Sequence, residues 1–382
     1  MPSMENSYSY GRLAAAVLLA VATAAGQPRL EQTEVYVAGT DGYHTYRIPA
    51  VIRTPAGTLL AFCEGRKNNA RDHGDIDLLV KRSIDGGKTW SAQQIVYEEG
   101  GTAEITIGNP SPVVDRETGA IWLPFCRDNR DVLVTRSTDD GRTWNWPVEI
   151  TPHVKRPDWG WVATGPGVGI QLAAGPHKGR LIIPCDHGAT SGGRRVKRSH
   201  VFYSDDHGRS WKLGGAVADH TDECQVVETA DGRLLINMRN YWERDGGQPE
   251  RGGMRAIAWS TDGGDSWSPL EFDRTLIEPV CQASLLRYTL ASIQGGNRLL
   301  FSNPASRDKR VRMTVRLSYD EGRSWPVARL LHEGPSAYSS LTVLADNTIG
   351  CLYERGDQGA YEKITFARFN LEWLTSGADR VE

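Results

Sequence analysis

Residues 83–90 read Ser-Ile-Asp-Gly-Gly-Lys-Thr-Trp, and this stretch decides the fold because the chain carries five versions of it. The shared pattern is Ser-x-Asp-x-Gly-x-Ser/Thr-Trp, and the copies occupy residues 83–90, 137–144, 204–211, 260–267 and 318–325. Successive copies begin 54, 67, 56 and 58 residues apart. A near-constant period above forty residues indicates one repeated supersecondary unit, and strand-rich units of this size are typical of propeller blades.

Each copy combines turn residues with an aromatic anchor. Asp and Ser side chains bond the backbone one or two residues ahead, and Gly tolerates positive φ, so the chain can reverse tightly. The Trp then offers a large apolar face to bury against the blade. We therefore interpret the five copies as structural and look for chemistry between them.

A second repeat lies between these motifs: a turn residue that leads into a short apolar run, the pattern of a buried strand. Six such runs begin at residues 57, 119, 179, 232, 297 and 347. The roughly 356 residues after the N-terminal segment, divided by a mean period of about 59, also give six units. The sequence therefore predicts an all-β fold, a six-bladed β-propeller of four-stranded antiparallel sheets whose sixth blade lacks the motif.

The N-terminal segment differs from the rest of the chain. Arg12 precedes an apolar run from Leu13 to Ala25 that ends in small residues, the pattern of a secretory signal peptide. We expect residues 1–26 to be this signal peptide, residues 27–382 to be a single propeller domain, and the protein to be periplasmic or secreted. The apolar run is too short to cross a bilayer stably, so no membrane span is expected.

Charge and cysteine content exclude several classes of function. A net charge of −3 without long charge runs argues against nucleic acid or an anionic membrane as a partner. The six cysteines include no Cys-x-x-Cys pair, so neither a zinc site nor a thioredoxin-like site is expected. We expect most of them to be buried small hydrophobic residues, although the compartment permits disulfides. No metal, no cofactor and a monomer are predicted.

Several polar residues outside the motifs share a phase of the repeat. Arg47 and Glu223 lie 36 and 37 residues before the next motif, and Tyr338 lies about 39 before an extrapolated sixth copy. Arg239 and Glu354 share another phase, because each ends the second apolar strand of its blade. Residues at one phase of a propeller form a ring about the axis, so we expect these side chains to converge.

In these motifs the chain resembles exo-sialidases (neuraminidases) of the bacterial and animal lysosomal type. The repeated pattern is the Asp box frequent in that family, and further segments match it in order over roughly residues 30–372. They are Tyr46-Arg-Ile-Pro49, Glu223-Cys-Gln-Val-Val-Glu228, Asn237-Met-Arg239, Arg310-Val-Arg-Met-Thr314, Ala337-Tyr-Ser-Ser-Leu341 and Leu352-Tyr-Glu354.

The resemblance implies a role for individual positions. Arg47, Arg239 and Arg310 would hold the carboxylate of sialic acid, because each guanidinium offers a planar fork of donors. Tyr338 would be the nucleophile and Glu223 its base. The carboxylate on the anomeric carbon would repel an anionic nucleophile, whereas a phenol arrives neutral, and sialidases differ in this from glycosidases with two carboxylates. We expect the arginines to lower the pKa of Tyr338 below its usual value of about 10.

The resemblance also implies supporting residues. Asp72 would be the acid/base, Glu354 would buttress Arg47, and Arg66 would touch the sugar. Asp75 remains a rival for the role of Asp72.

Alternatives also remain at two other positions. Arg312 stands where the family usually has Asn, so either Arg310 or Arg312 could face the carboxylate. Asp222 and Glu228 are rivals of Glu223. Separately, the Gly-rich basic stretch at residues 188–198 predicts a mobile surface loop.

The function that the resemblance implies is a retaining exo-α-sialidase that removes terminal sialic acid from sialylated glycans by double displacement. A trans-sialidase is the first alternative. A glycan-binding propeller without catalysis is the second, and it would need the arginines but not the Tyr, Glu and Asp.

Overall fold

A computed structural model describes residues 27–191 and 193–381, so the predicted signal peptide at residues 1–26 lies outside the described residues. The described part of the chain consists mainly of antiparallel β-strands. Its helical segments are α1 (Thr151–Val154), α2 (Ala291–Gln294), α3 (Leu371–Thr375) and a 3₁₀ turn at Pro249–Arg251. None of the helices in residues 27–191 and 193–381 is long and apolar enough to cross a bilayer.

Consecutive strands pair into small antiparallel sheets. After β1 (Leu30–Val37), the first sheet contains β2 (Thr45–Arg53), β3 (Leu59–Arg66), β4 (Ile76–Ser83) and β5 (Gln94–Tyr97), and the second contains β6 (Ile107–Gly108), β7 (Val113–Val114), β8 (Ile121–Arg127), β9 (Asp131–Ser137) and β10 (Val148–Glu149). The third contains β11 (Trp161–Thr164), β12 (Ile170–Gln171), β13 (Leu181–Ser191), β14 (Arg194–Ser204) and β15 (Lys212–Ala216), and the fourth contains β16 (Thr221–Glu228), β17 (Leu234–Asn240), β18 (Met254–Ser260) and β19 (Glu271–Ile277). The fifth contains β1 together with β20 (Ser284–Thr289), β21 (Arg298–Pro304), β22 (Val311–Ser318), β23 (Val327–Val343), β24 (Ile349–Arg355) and β25 (Lys363–Phe369).

The β-propeller prediction is confirmed, but the prediction of six separate four-stranded sheets is wrong. Hydrogen bonding in the described residues forms four separate sheets of four or five strands and one sheet of seven. The cause is β23, which is 17 residues long, pairs with β22 through its first half and pairs with β24 through its second half. The outer strand of one repeat unit therefore continues directly into the inner strand of the next, and the last two units form one sheet.

The first strand of the ring pairs with the last. Leu30 is opposite Phe369, and the antiparallel pairing of β1 with β25 continues to Val37 opposite Lys363. The seven-stranded sheet thus contains both ends of the described chain, which closes the ring without a free edge between its first and last units.

The five repeated motifs are turns that follow the third strand of a unit. In the first copy, Gly87 N donates to Ser83 Oγ over 2.9 Å and Thr89 Oγ1 donates to Asp85 Oδ2 over 2.6 Å. Burial alone would raise the pKa of Asp85, but hydrogen bonds from Thr89 and Ser83 lower it to about 2. The other four copies repeat these hydrogen bonds, so the structural interpretation of the motif agrees with the geometry.

The motifs also pack each sheet against the preceding one. A Cβ on Gly208, whose φ is 82°, would lie 2.2 Å from the ring of Trp122 in the second sheet. A Cβ on Gly87 would lie 2.2 Å from Phe366 in the seven-stranded sheet. Glycine is therefore required at these motif positions for two reasons: the backbone is left-handed, and the neighbouring sheet approaches too closely for a Cβ.

Two smaller predictions have opposite outcomes. All six cysteines are buried and free, so the prediction that most are small buried residues is confirmed. The mobile loop predicted at residues 188–198 is wrong, because β13 and β14 remain paired through Gly188 opposite Lys197 to Ser191 opposite Arg194. A Gly-rich, basic composition does not reveal that the backbone ladder of a hairpin extends through it.

We predict that Gly208→Ala destabilises the protein more than Gly232→Ala does. Gly232 has a φ of 81° but nothing within 4 Å of an added Cβ, so it is a matched control for the backbone effect alone. Overpacking against Trp122 should cost roughly a further 1–3 kcal/mol. Thermal unfolding should then give a clearly lower Tm for Gly208→Ala, and equal Tm values would contradict the proposed contact between sheets.

Candidate active site

The predicted residues gather at one end of the propeller axis, around a cleft of about 220 Å³. Arg47 is the third residue of β2, Glu223 is the third residue of β16, and Tyr338 lies near the start of the second half of β23, so three inner strands present equivalent positions. A larger cavity of about 550 Å³ lies between the opposite ends of these strands and contains none of the predicted residues. The residues that share a repeat phase therefore lie together at one end of the inner strands.

Tyr338, Glu223 and Arg239 form one hydrogen-bonded group. The Tyr338 hydroxyl donates to Glu223 Oε1. Arg239 Nη1 donates to Glu223 Oε2 over 2.7 Å and to the Tyr338 hydroxyl over 3.2 Å. The two rivals of Glu223 are engaged elsewhere: Asp222 pairs with Lys197, and Glu228 accepts backbone N–H groups at the other end of β16.

The pKa of Tyr338 is raised, so the predicted lowering by arginines is wrong. Burial of the phenol raises this pKa most, and the Glu223 carboxylate raises it further, while Arg239 and Arg310 only partly oppose them. Desolvation disfavours the charged form of a buried group, which the sequence argument left out. The side chain of Tyr338 in the unliganded site is therefore a neutral phenol, and its hydroxyl proton is already hydrogen-bonded to Glu223.

The buried carboxylate of Glu354 holds two of the predicted residues. Its Oε1 accepts from Arg47 Nε over 2.7 Å and from Ile48 N over 2.9 Å, and its Oε2 accepts from Tyr338 N over 3.0 Å. Ile48 has a φ of 61°, a costly conformation for a β-branched residue that persists only where its surroundings fix it. The predicted support of Arg47 is thus present, and the same carboxylate also fixes the backbone at Tyr338.

Arg310 lies at the site and Arg312 does not. The guanidinium carbon of Arg310 is 5.6 Å from the centre of the Tyr338 ring, whereas Arg312 is exposed and paired with Glu333. Arg310 Nη1 donates to the hydroxyl of Tyr361 over 2.8 Å.

Tyr361 is a site residue that the sequence argument missed. Its ring lies 3.8 Å from the guanidinium carbon of Arg47, while its hydroxyl accepts from Arg310, so it links two arginines. It lies in the connection between β24 and β25, where no repeat phase marks it. Its one sequence signal is an aromatic residue in a polar segment close to Glu354.

Asp72 lies on the loop between β3 and β4 and contacts two arginines. Arg66 Nη1 donates to Asp72 Oδ1 over 2.8 Å, and Arg47 Nη1 lies 3.7 Å from the same oxygen. Partial burial opposes ionisation, but Arg66 and Arg47 outweigh it and lower the pKa of Asp72. Its side chain is 73% exposed and lines the cleft, whereas the rival Asp75 is buried beside Lys67.

Comparisons with known proteins identify the family of this chain. Residues 57–351 match the family described as BNR repeat-like domain. The exo-alpha-sialidase of Arthroderma benhamiae is 33% identical to this chain, over 88% of this chain and 86% of that protein. The chain belongs to the exo-sialidase family. The sialidase of Micromonospora viridifaciens is 39% identical over 91% of this chain, and the solved structure of Hadza microbial sialidase Hz136 is 32% identical with a TM-score of 0.79, covering 90% of this chain and 69% of that one.

Some relatives in the exo-sialidase family are longer than this chain. The matched region covers 55% of the Micromonospora viridifaciens protein and 61% of the sialidase of Bacteroides fragilis.

All eight predicted residues belong to one connected set of contacts in this exo-sialidase chain. The set links Arg66 to Asp72, Asp72 to Arg47, Arg47 to Glu354, Glu354 to Tyr338, Tyr338 to Glu223 and Arg239, and Arg310 to Arg47 through Tyr361. Asp186 and Lys197 also line the cleft, and no sequence motif assigned either of them to the site.

We predict that Tyr361→Phe weakens binding of a carboxylate-bearing sugar about tenfold, because the ring would stay on Arg47 while Arg310 would lose its hydrogen bond. Calorimetric titration measures the affinity. Tyr97→Phe is the control, since Tyr97 lies on the outer strand β5, its hydroxyl donates to Glu99, and neither residue lines the cleft. Equal affinities in the two variants would show that the Tyr361 hydroxyl does not position Arg310.

Proposed function

We propose that this chain is a retaining exo-α-sialidase, a glycoside hydrolase that removes terminal sialic acid from glycoproteins, glycolipids and sialyl-oligosaccharides. The observation that carries the proposal is the hydrogen bond from the Tyr338 hydroxyl to Glu223 Oε1 beside three guanidinium groups. Relatives named sialidase and exo-alpha-sialidase support the same reaction class.

The three arginines supply the site for the carboxylate of the substrate. Glu354 accepts from Nε of Arg47, and Glu223 accepts from Nη1 of Arg239, so each guanidinium keeps other N–H donors for a ligand. Arg310 donates through one nitrogen, Nη1, to the Tyr361 hydroxyl. A guanidinium group that is held by hydrogen bonds and still has free N–H donors matches a ligand carboxylate in charge and in bidentate geometry.

Tyr338 attacks the anomeric carbon as its proton moves to Glu223. A carbon–oxygen bond forms between the phenol and the sugar, the glycosidic bond breaks, and the leaving oxygen takes a proton from Asp72. Water then attacks the glycosyl–tyrosine intermediate and gives its proton to Asp72, while Glu223 returns a proton to Tyr338. Because Tyr338 is neutral at rest, the base is needed in the transition state rather than before it.

Ligand binding prepares Asp72 to act as an acid. In the unliganded site, Arg66 and Arg47 lower the pKa of Asp72, so this side chain is ionised. A substrate carboxylate would neutralise part of the charge of Arg47, and the sugar would cover the exposed face of Asp72. Both changes raise the pKa of Asp72 toward the value that a general acid needs.

The two alternatives differ from this proposal in the product that they form or in the residues that they need. A trans-sialidase would transfer the sugar to an acceptor other than water. A glycan-binding propeller without catalysis would need the arginines but not Tyr338, Glu223 and Asp72.

We predict that the wild-type protein releases α-sialic acid from sialyllactose, which time-resolved proton NMR distinguishes from the β-anomer and from transfer products. Tyr338→Phe should lower kcat by roughly 1,000-fold or more and still bind free sialic acid, because only the nucleophilic oxygen is lost. Tyr288→Phe, which loses a hydroxyl bond to the backbone of Asn347, is the control. A β-product first, or a Tyr338→Phe enzyme of normal rate, would refute the mechanism.

We predict that Asp72→Asn slows hydrolysis of a sialoside with an alcohol leaving group about 100-fold, and of an activated aryl sialoside much less. An alcohol needs protonation to leave, whereas an activated phenol does not. Asp75→Asn, on the same loop but outside the cleft, should show no such dependence on the leaving group. Equal losses on both substrates would remove Asp72 from the role of acid.

A further inference from the structure

The cleft contains three ionisable residues to which the proposed reaction assigns no role. Asp186 lies on β13, Lys197 on β14 and Asp222 on β16, and all three line the cleft with Tyr338. The strands β13 and β14 are paired, with Asp186 opposite Ser199 and Gly188 opposite Lys197. These residues therefore form part of one wall of the site.

Lys197 is engaged by Asp222 rather than by Asp186. Lys197 Nζ lies 2.8 Å from Asp222 Oδ2, and it also lies 4.0 Å from the centre of the Tyr241 ring. Asp222 Oδ1 accepts from the backbone N–H of Glu223 over 2.8 Å. Asp222 is thus a well-satisfied anion, and the cation of this wall is already paired.

Asp186 has a much poorer set of partners. Its side chain is 3% exposed, and its Oδ2 accepts from Trp161 Nε1 over 3.1 Å. Its Oδ1 has no hydrogen-bond partner among residues 27–191 and 193–381. A buried carboxylate with one neutral donor and no cation of its own is costly, whereas the protonated acid needs only an acceptor for its O–H.

The surroundings of Asp186 favour its protonated form. Burial raises the pKa of Asp186 most, and the anions of Asp222 and Glu223 raise it further, while Lys197 and the Trp161 N–H oppose them incompletely. Arg239 on β17 donates to Glu223 and to Tyr338 but not to Asp186.

The arginines of β14 are Arg194, Arg195 and Arg198; none of them is hydrogen-bonded or ion-paired to Asp186 among the described residues, and Arg198 pairs with Asp219. Five other titratable groups on the strands around Asp186 are uncharged. Burial raises the pKa of the Cys126, Cys185 and Cys224 thiols. Burial lowers the pKa of His187, to about 3, and that of His200. All five groups are therefore neutral near pH 7.

We propose that Asp186 meets the ligand as a neutral carboxylic acid and donates a hydrogen bond to an uncharged oxygen of the bound sugar. The ligand carboxylate is drawn instead to the arginines, because Asp222 and Glu223 repel an anion at this wall. The identity of the sugar rests on the proposed function, whereas the protonation state of Asp186 does not.

The proposal gives the cleft a pH dependence of defined sign. Below the pKa of Asp186 the acid carries its proton and the hydrogen bond to the sugar forms. As pH rises through that pKa, Asp186 loses its proton. Its carboxylate can then only accept a hydrogen bond, so the hydrogen bond that it donated to the sugar oxygen is lost. KM should therefore rise with pH by about tenfold while kcat changes less, because Asp186 touches the sugar but takes no part in proton transfer.

Two variants test this proposal against a matched control. In Asp186→Asn the amide keeps a donor, still accepts from Trp161 and cannot titrate, so KM should stay low and lose the rise with pH. In Asp186→Ala, KM should be about tenfold higher at every pH. Asp219→Asn removes a carboxylate that pairs with Arg198 outside the cleft, and it should keep the wild-type profile.

A KM that does not rise with pH in the wild-type enzyme would overturn the proposal. So would an Asp186→Asn enzyme that keeps the wild-type rise, since another group would then be titrating.

Infrared spectroscopy tests the proton without turnover. Spectra of the wild-type protein near pH 7 should contain the carbonyl band of a protonated carboxyl group that is missing from Asp186→Asn. Absence of this difference would overturn the proposal even in an active sialidase. Presence of the band in a protein that neither binds nor cleaves any sialoside would refute the proposed function and the sugar contact, but it would support the neutral acid.

Discussion

The buried carboxylate of Glu354 is the interaction on which the arrangement of the site depends. It lies on β24 and accepts hydrogen bonds from Arg47 and Ile48 on β2 and from the backbone of Tyr338 on β23. One side chain thus joins the first sheet to the last and fixes both an arginine and the candidate nucleophile. Breaking a buried pair of this kind by removing one partner typically costs about 3–5 kcal/mol, so the geometry of the cleft and the closure of the ring are energetically coupled.

Much of this arrangement could be predicted from the repeat. The motif period indicated a propeller, and the shared phase of Arg47, Glu223 and Tyr338 predicted that they occupy equivalent positions around its axis. The phase argument succeeds because a closed ring maps sequence period onto rotation about an axis. The count of separate sheets failed because a period says nothing about whether β23 is interrupted between two units.

Other features depend on burial and on contacts that have no period. The raised pKa of Tyr338 follows from desolvation, which cannot be read from the charges of neighbouring arginines alone. Tyr361 comes from an irregular connection, and its contact with Arg47 is visible only after β24 and β25 are placed. Asp186 stands within an apolar strand run, where its sequence neighbours do not show that Asp222 and Lys197 pair with each other and leave it out.

The pairing of β1 with β25 has a consequence for how the chain reaches its native state. Leu30 is among the first residues of the ring to be synthesised, and its partner Phe369 is among the last. At ordinary rates of translation the two are separated by some tens of seconds, during which β1 lacks its partner. Such a non-local contact makes closure a late and slow event, and it leaves an unpaired strand open to wrong association until the last strand arrives.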